Sequence, residues 1–305
     1  MDLQKFKGIF PAFYACYDDA GEISEERTKL FANYLYEKGV QGLYVGGSSG
    51  ECIYQNLEER KKTLKYVAEI MRGKLTLIAH VGAPSTKQSI ELAQYAEELG
   101  YDALSAIPPI YFKLPERSIY KYWTKIIESS NLPFIIYNIP QTTGYQLSLE
   151  LFKKMIENPK VIGLKNSSMQ VLDIERFRAE AGEDFLIYNG PDEQYISGRL
   201  IGADGGIGGT YGVMPELYLK AEDFIINGDF KSARVIQRDI NDIIFALSSL
   251  DGHMYAAIKE VLKLNGINIG SVREPLEPIS CRDHGKVIEI KNRIDETIKK
   301  YSVKQ

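Results

Sequence analysis

The chain is poor in the residues that build metal and disulfide frameworks, with three histidines and three cysteines among 305 residues. His80, His253 and His284 are scattered, and Cys16, Cys52 and Cys281 show no CxxC or Cys/His metal spacing. That argues against a metal site and against a disulfide scaffold. A sparse, odd set of thiols points instead to reduced cysteines in a cytoplasmic protein. No uninterrupted apolar run approaches the roughly 18 residues of a membrane span, and the opening MDLQKFKGIF lacks the apolar stretch of a secretion signal.

Positive charge is not in excess either. The formal net charge of −4 argues against nucleic acid or an anionic membrane as partner, although a local basic pocket can still hold an anion. No Gly-Lys-Ser/Thr follows a glycine-rich turn and no dinucleotide fingerprint appears, so no cofactor is expected. Linkers rich in Pro, Gly or Ser and low-complexity segments are missing as well.

What is present is an alternation. Short runs rich in β-formers trade places with longer stretches of helical periodicity: Gly8–Tyr14, Gly42–Gly46, Leu75–Val81, Asp102–Ile107, Pro133–Tyr137, Val161–Lys165, Phe185–Tyr188 and Gly205–Gly208. Strands alternating with helices at this spacing must pair in parallel. Roughly eight such units are the number that closes an α/β barrel, a (βα)₈ TIM barrel, rather than an open sheet. After about Pro215 only helical patterns remain, over 217–227, 229–250, 255–265 and 283–301. The expected organisation is a barrel over 1–225 and a helical C-terminal extension over 226–305 packed on it.

Barrel sites form at the C-terminal ends of the strands. Lys165 terminates the apolar run Val161-Ile-Gly-Leu. There, desolvation can bring an amine from near 10.4 down to roughly 7–8, where it attacks a carbonyl. The competing reading is a surface lysine at a strand end. Gly46-Gly-Ser-Ser-Gly50 is either a carboxylate-binding nest with Ser48 and Ser49 as donors, or a plain strand–helix turn. Glu51 is read as a structural acid. Tyr137 ends the strand before Lys165 and can relay a proton, though one tyrosine among 20 carries little weight alone. Asp192 and Glu193, after Gly190-Pro191, suit the donor hydroxyls of a sugar or, alternatively, cap the next helix.

In combination, GGSSGE (46–51), YNIPQTTG (137–144) and GLK (163–165), each at a strand end and in this order, resemble the dihydrodipicolinate synthase/N-acetylneuraminate lyase superfamily. The resemblance runs from Gly8-Ile-Phe-Pro-Ala to Arg273-Glu-Pro-Leu-Glu-Pro278. It implies a Schiff-base lyase acting on a 2-keto acid, with the imine on Lys165. It also implies that Ser48 and Ser49 hold the carboxylate and that Tyr137 is the acid/base, aided by Ser48 and by Tyr111 from a neighbouring subunit. Gly206 and Ile207 would offer backbone contacts near the imine, in a homotetramer.

Within the superfamily, the synthases resemble YNVPxRTG, and here the arginine's place is Thr142. Threonine cannot make the bidentate carboxylate contact. The sialic acid lyases resemble GxDE, which Gly190, Asp192 and Glu193 match, and Ser167 stands where they usually carry threonine. The implied reaction is cleavage of N-acetylneuraminate to pyruvate and N-acetylmannosamine. One departure is Gly209, where the lyases usually carry a serine that holds the sugar tail. It leaves another 2-keto-3-deoxy sugar acid open as substrate. A condensing synthase is disfavoured by Thr142, and a non-catalytic barrel by the presence of both Lys165 and Tyr137.

Overall fold

The structure, a computed structural model, describes residues 2–302. Its eight strands are β1 (Gly8–Pro11), β2 (Gly42–Val45), β3 (Thr76–His80), β4 (Ala103–Ala106), β5 (Phe134–Asn138), β6 (Val161–Asn166), β7 (Leu186–Asn189) and β8 (Gly205–Gly208). They pair in parallel in the order β1-β8-β7-β6-β5-β4-β3-β2. The ring closes between β1 and β2 through an Ala12–Tyr44 bridge, with the Phe13 N–H donating to the Tyr44 carbonyl and the Gln41 N–H to that of Ile9. The expected (βα)₈ barrel is the fold. The first strand is shorter than the run Gly8–Tyr14 suggests, because the chain leaves the ladder after Ala12 and Tyr14 turns its phenol to the Gly209 carbonyl.

Helices alternate with the strands: α1 (Glu25–Glu37), α2 (Leu57–Met71), α3 (Thr86–Glu98), α4 (Glu116–Glu128), a single turn α5 (Pro140–Thr143), α6 (Leu149–Ile156), α7 (Leu172–Ala181), α8 (Tyr195–Leu200) and α9 (Pro215–Ile226). Their starts follow local chemistry. Ser24 accepts from the Arg27 N–H and Ser148 from the Leu151 N–H, and Asn56 with Glu59 forms a reciprocal capping box. The one-turn α5 has no signal in the sequence beyond Pro140 at its start and Gly144, left-handed at φ 68°, at its end.

Both faces of the sheet are buried, which is why the strands read as continuous apolar runs. Alternation decides which residue faces where. Phe10, Tyr44, Ile78, Ile135, Tyr137, Leu186, Tyr188 and Ile207 fill the barrel interior, and Phe6 plugs its N-terminal end, its carbonyl accepting from the Tyr188 hydroxyl at 2.6 Å. The opposite faces pack against the helices around Trp123, whose indole N–H donates to the Ala106 carbonyl.

Three helices follow α9: α10 (Phe230–Ser248), α11 (Met254–Leu264) and α12 (His284–Ser302). Of these, α11 reaches back to the barrel mouth. Lys259 bonds Glu51 at 2.6 Å in an ion pair whose side chains are 1% and 0% exposed, and Tyr255 bonds Ser49 at 2.8 Å.

Candidate active site

Lys165 lies at the mouth end of β6, in register with Tyr137 on β5 and Tyr188 on β7. Gly163, two residues earlier, lets Leu186 and Ile135 fill the layer beneath, since a Cβ there would sit 3.0 Å from Leu186. The lysine is buried, at 4% exposure, with Nζ 4.0 Å from the ring centroid of Tyr137 and 4.4 Å from that of Tyr44. Burial among aromatic walls lowers its pKa to about 7, against the pull of the Asp192 carboxylate. The same burial raises the Tyr137 phenol to about 12, while hydrogen bonding from the Ser48 and Ser167 hydroxyls opposes the rise. Near pH 7 an amine that is about half neutral therefore sits beside a protonated phenol.

The turn after β2 faces them. Gly46 adopts φ 77°, a conformation that favours glycine, and Ser49 is buried at the mouth. Glu51, itself left-handed at φ 52°, accepts from Lys259 through one oxygen and from the Arg273 N–H through the other, so its role is structural. Behind the turn stands His80. Its Nδ1 lies 2.9 Å from the Gly46 carbonyl and its Nε2 accepts from the Ile107 N–H, which fixes Nδ1 as the protonated nitrogen. Burial, then the Arg60 guanidinium, depresses its pKa to about 3, and its ring meets that of Tyr137 edge-on at 5.9 Å. Tyr44, His80 and Tyr255 all belong to this site, and sequence reasoning missed them. Tyr44 and His80 point inward from β2 and β3, a facing that strands buried along their whole length do not announce.

Asp192 begins a short 3₁₀ turn after β7, yet its side chain does not cap it. One oxygen accepts from the Thr210 N–H and hydroxyl, both at 2.6 Å, while the other is buried with no partner. Gly208 makes room for that free oxygen, because a Cβ there would stand 2.1 Å from it. Burial raises the Asp192 pKa to about 6, and the Thr210 bonds pull the other way. Glu193 is half-buried beside it, its carbonyl held by Asn241. Gly190 leaves space for Ser167, whose hydroxyl a Cβ would meet at 2.0 Å. On β8, Gly206 packs under Tyr211 and Tyr195 and Ile207 points into the barrel, and just past the strand Gly209 lies beside Tyr255 and Ser49.

Tyr111 is not brought to Lys165 and Tyr137 within the chain. It is 92% exposed at φ 86°, with its ring edge-on to that of the also exposed Phe112. A cavity of about 690 Å³ opens at the mouth, with Ser48, Cys52, Arg60, Ile107, Thr142 and Tyr255 among its walls. The arrangement can do carbonyl chemistry: an amine to attack, a phenol to pass protons, and hydroxyls for a carboxylate. Among the described residues no group of three or more His, Cys, Asp or Glu side chains converges as a metal site would.

Comparison with known proteins finds relatives along nearly the whole chain. Residues 5–293 match the profile of the dihydrodipicolinate synthetase family. The N-acetylneuraminate lyase of Mediterraneibacter gnavus is 53% identical over 302 residues, 98% of this chain and 96% of that one. The solved wild-type sialic acid aldolase of Ruminococcus gnavus superposes with a TM-score of 0.97 at 53% identity, over 98% of this chain and 100% of its own. A structure of that aldolase mutated at its catalytic lysine gives the same TM-score at 52% identity, over 98% and 99%.

Proposed function

The chain belongs to the dihydrodipicolinate synthetase family, and on that footing we propose that it is a carbon–carbon lyase cleaving N-acetylneuraminate to pyruvate and N-acetylmannosamine through an imine on Lys165. The observation that carries this is Lys165 itself: a buried amine with a pKa near 7, against the Tyr137 ring. Close to half of it is neutral at pH 7, whereas an ordinary lysine offers about one free amine in 2,500.

The Lys165 amine adds to the C2 carbonyl of the open-chain sugar acid, and Tyr137 protonates the departing hydroxyl, so that water leaves and an iminium forms. The Ser48 and Ser49 hydroxyls hold the carboxylate. The new positive charge beside the Tyr137 ring lowers the phenol's pKa, so the phenolate it has become takes the C4 hydroxyl proton. The C3–C4 electron pair then flows into the iminium. N-acetylmannosamine departs as the aldehyde, Tyr137 passes the proton it has taken to C3 of the enamine, and water hydrolyses the pyruvate imine to the free amine, the released proton returning to the phenolate. Asp192 and Glu193 accept hydrogen bonds from the polyhydroxy tail, with Ser167 and the Gly190, Gly206, Ile207 and Gly209 backbone lining the path.

The outward Tyr111, left-handed at φ 86°, supports a homotetramer in which it reaches a neighbouring mouth. Free cysteines, one of them fully buried, support a cytoplasmic setting.

The test is borohydride trapping with pyruvate and, separately, with N-acetylneuraminate, read by peptide mass. Adducts on Lys165 from both ligands are expected. Pyruvate alone would keep the chemistry and move the substrate, and no adduct from either would overturn the reading.

A further inference from the structure

The hydroxyl that a serine would place at position 209 is absent, yet the space beside Gly209 is not bare. A Cβ built there would stand 3.1 Å from the Tyr255 Oη and 3.5 Å from the Ser49 Oγ. A phenol from α11 thus already occupies the volume toward which a residue-209 side chain would project. We propose that Tyr255 is a specificity-determining residue that supplies, from the C-terminal helices, the hydroxyl that Gly209 lacks, and bonds the hydroxylated tail of the sugar acid. The proposal rests on the sialic acid reading above.

Three features carry it. The ring is held in place: it packs against Tyr14 at 5.9 Å and His253 at 5.2 Å, and its own backbone N–H donates to the His253 Nδ1. Tyr14 also fixes the other side of the gap by bonding the Gly209 carbonyl. The hydroxyl is not used up. Two hydroxyls together bring two protons and four lone pairs, and the Ser49–Tyr255 bond consumes one of each. Finally, the placement suits a polyol. Tyr255 lines the mouth cavity, and Thr210, the residue after Gly209, holds Asp192. Phenol and carboxylate therefore flank one short loop after β8, a donor-acceptor on one side and an acceptor on the other.

The alternative is that Tyr255 acts only by orienting Ser49, which belongs to the carboxylate end. The two roles separate experimentally, because pyruvate has the carboxylate but no tail. Tyr255→Phe keeps the ring packing and removes only the oxygen. The expected result is a KM for N-acetylneuraminate raised about two- to twelvefold, one neutral hydrogen bond's worth, with the concentration dependence of pyruvate trapping on Lys165 at its wild-type position. Adding Gly209→Ser to Tyr255→Phe relieves the 3.1 Å contact, restores a hydroxyl from the opposite wall, and should return most of the loss. An equal shift for pyruvate and the sugar acid overturns the proposal in favour of the Ser49 role. No shift for either, or a double variant as weak as the single one, also overturns it. A wild-type enzyme that traps pyruvate but does not cleave N-acetylneuraminate is a different result: it removes the sialic acid reading itself, and this proposal with it.

Discussion

Lys165 Nζ stands 4.0 Å from the centroid of the Tyr137 ring, and the two residues are direct partners on adjacent strands β5 and β6. Backbone pairing, rather than any flexible loop, sets the spacing between nucleophile and proton carrier. Mutations at these two positions should therefore change chemistry without moving the partner.

Lys165→Met removes the nucleophile while keeping an unbranched side chain. Turnover should fall by more than about 10⁴-fold, as when other covalent nucleophiles are removed. Stability should move the other way. The folded-state pKa of about 7 lies below the ordinary 10.5, so burying the ammonium costs stability in full below about pH 7, and the cost fades as pH rises toward 10.5. The variant should be more stable by about 1–4 kcal/mol at pH 6. Denaturant melts of both proteins should show that gap shrinking by pH 9.

The pH dependence of trapping reads the same amine. The rate of pyruvate adduct formation should rise through an inflection near pH 7 and then level. Asp192 holds the Lys165 pKa up, so Asp192→Asn should move the inflection to lower pH. An unmoved inflection would mean that the carboxylate and the amine do not sense one another.

Tyr137→Phe takes away one oxygen from a packed ring. Chemistry should slow by about 10²–10⁴-fold, the usual worth of a positioned acid/base. The pyruvate adduct on Lys165 should still form, more slowly, with stability close to wild type. Single-turnover kinetics beside a melting curve would check both.

Lys259→Met leaves the Glu51 carboxylate buried without its ammonium. A loss of about 3–5 kcal/mol is expected from breaking one side of so buried a pair. Combining it with Glu51→Gln should recover much of that loss, since the stranded charge is gone. Chemical denaturation of the two variants and the wild type completes the cycle.

Much of the fold was legible because each strand is a short apolar run set between helical periods, and because caps such as Ser24 and Asn56 announce helix starts. Lys165, Tyr137 and the Gly46–Glu51 turn were legible for a related reason: they sit where those runs end. Facing was harder. Strands buried on both sides lack the polar–apolar alternation that marks an inner face, so nothing local told Tyr44 and His80 from their outward neighbours. Tyr255 and Lys259 were hidden by distance along the chain, their partners lying 206 and 208 residues earlier. Contacts of that span leave no trace in local periodicity.

That span also orders events during synthesis. The Gly46–Glu51 turn leaves the ribosome early, Lys165 near the middle, and α11 with its Tyr255 and Lys259 only in the last fifth of the chain. A nascent chain that has finished all eight strands owns its reactive amine, but Glu51 has no ammonium and the wall beside Gly209 is missing. Until α11 is made, the Glu51 carboxylate lacks its ion-pair partner and Ser49 the phenol it bonds. The residues made last complete the mouth around an amine made long before.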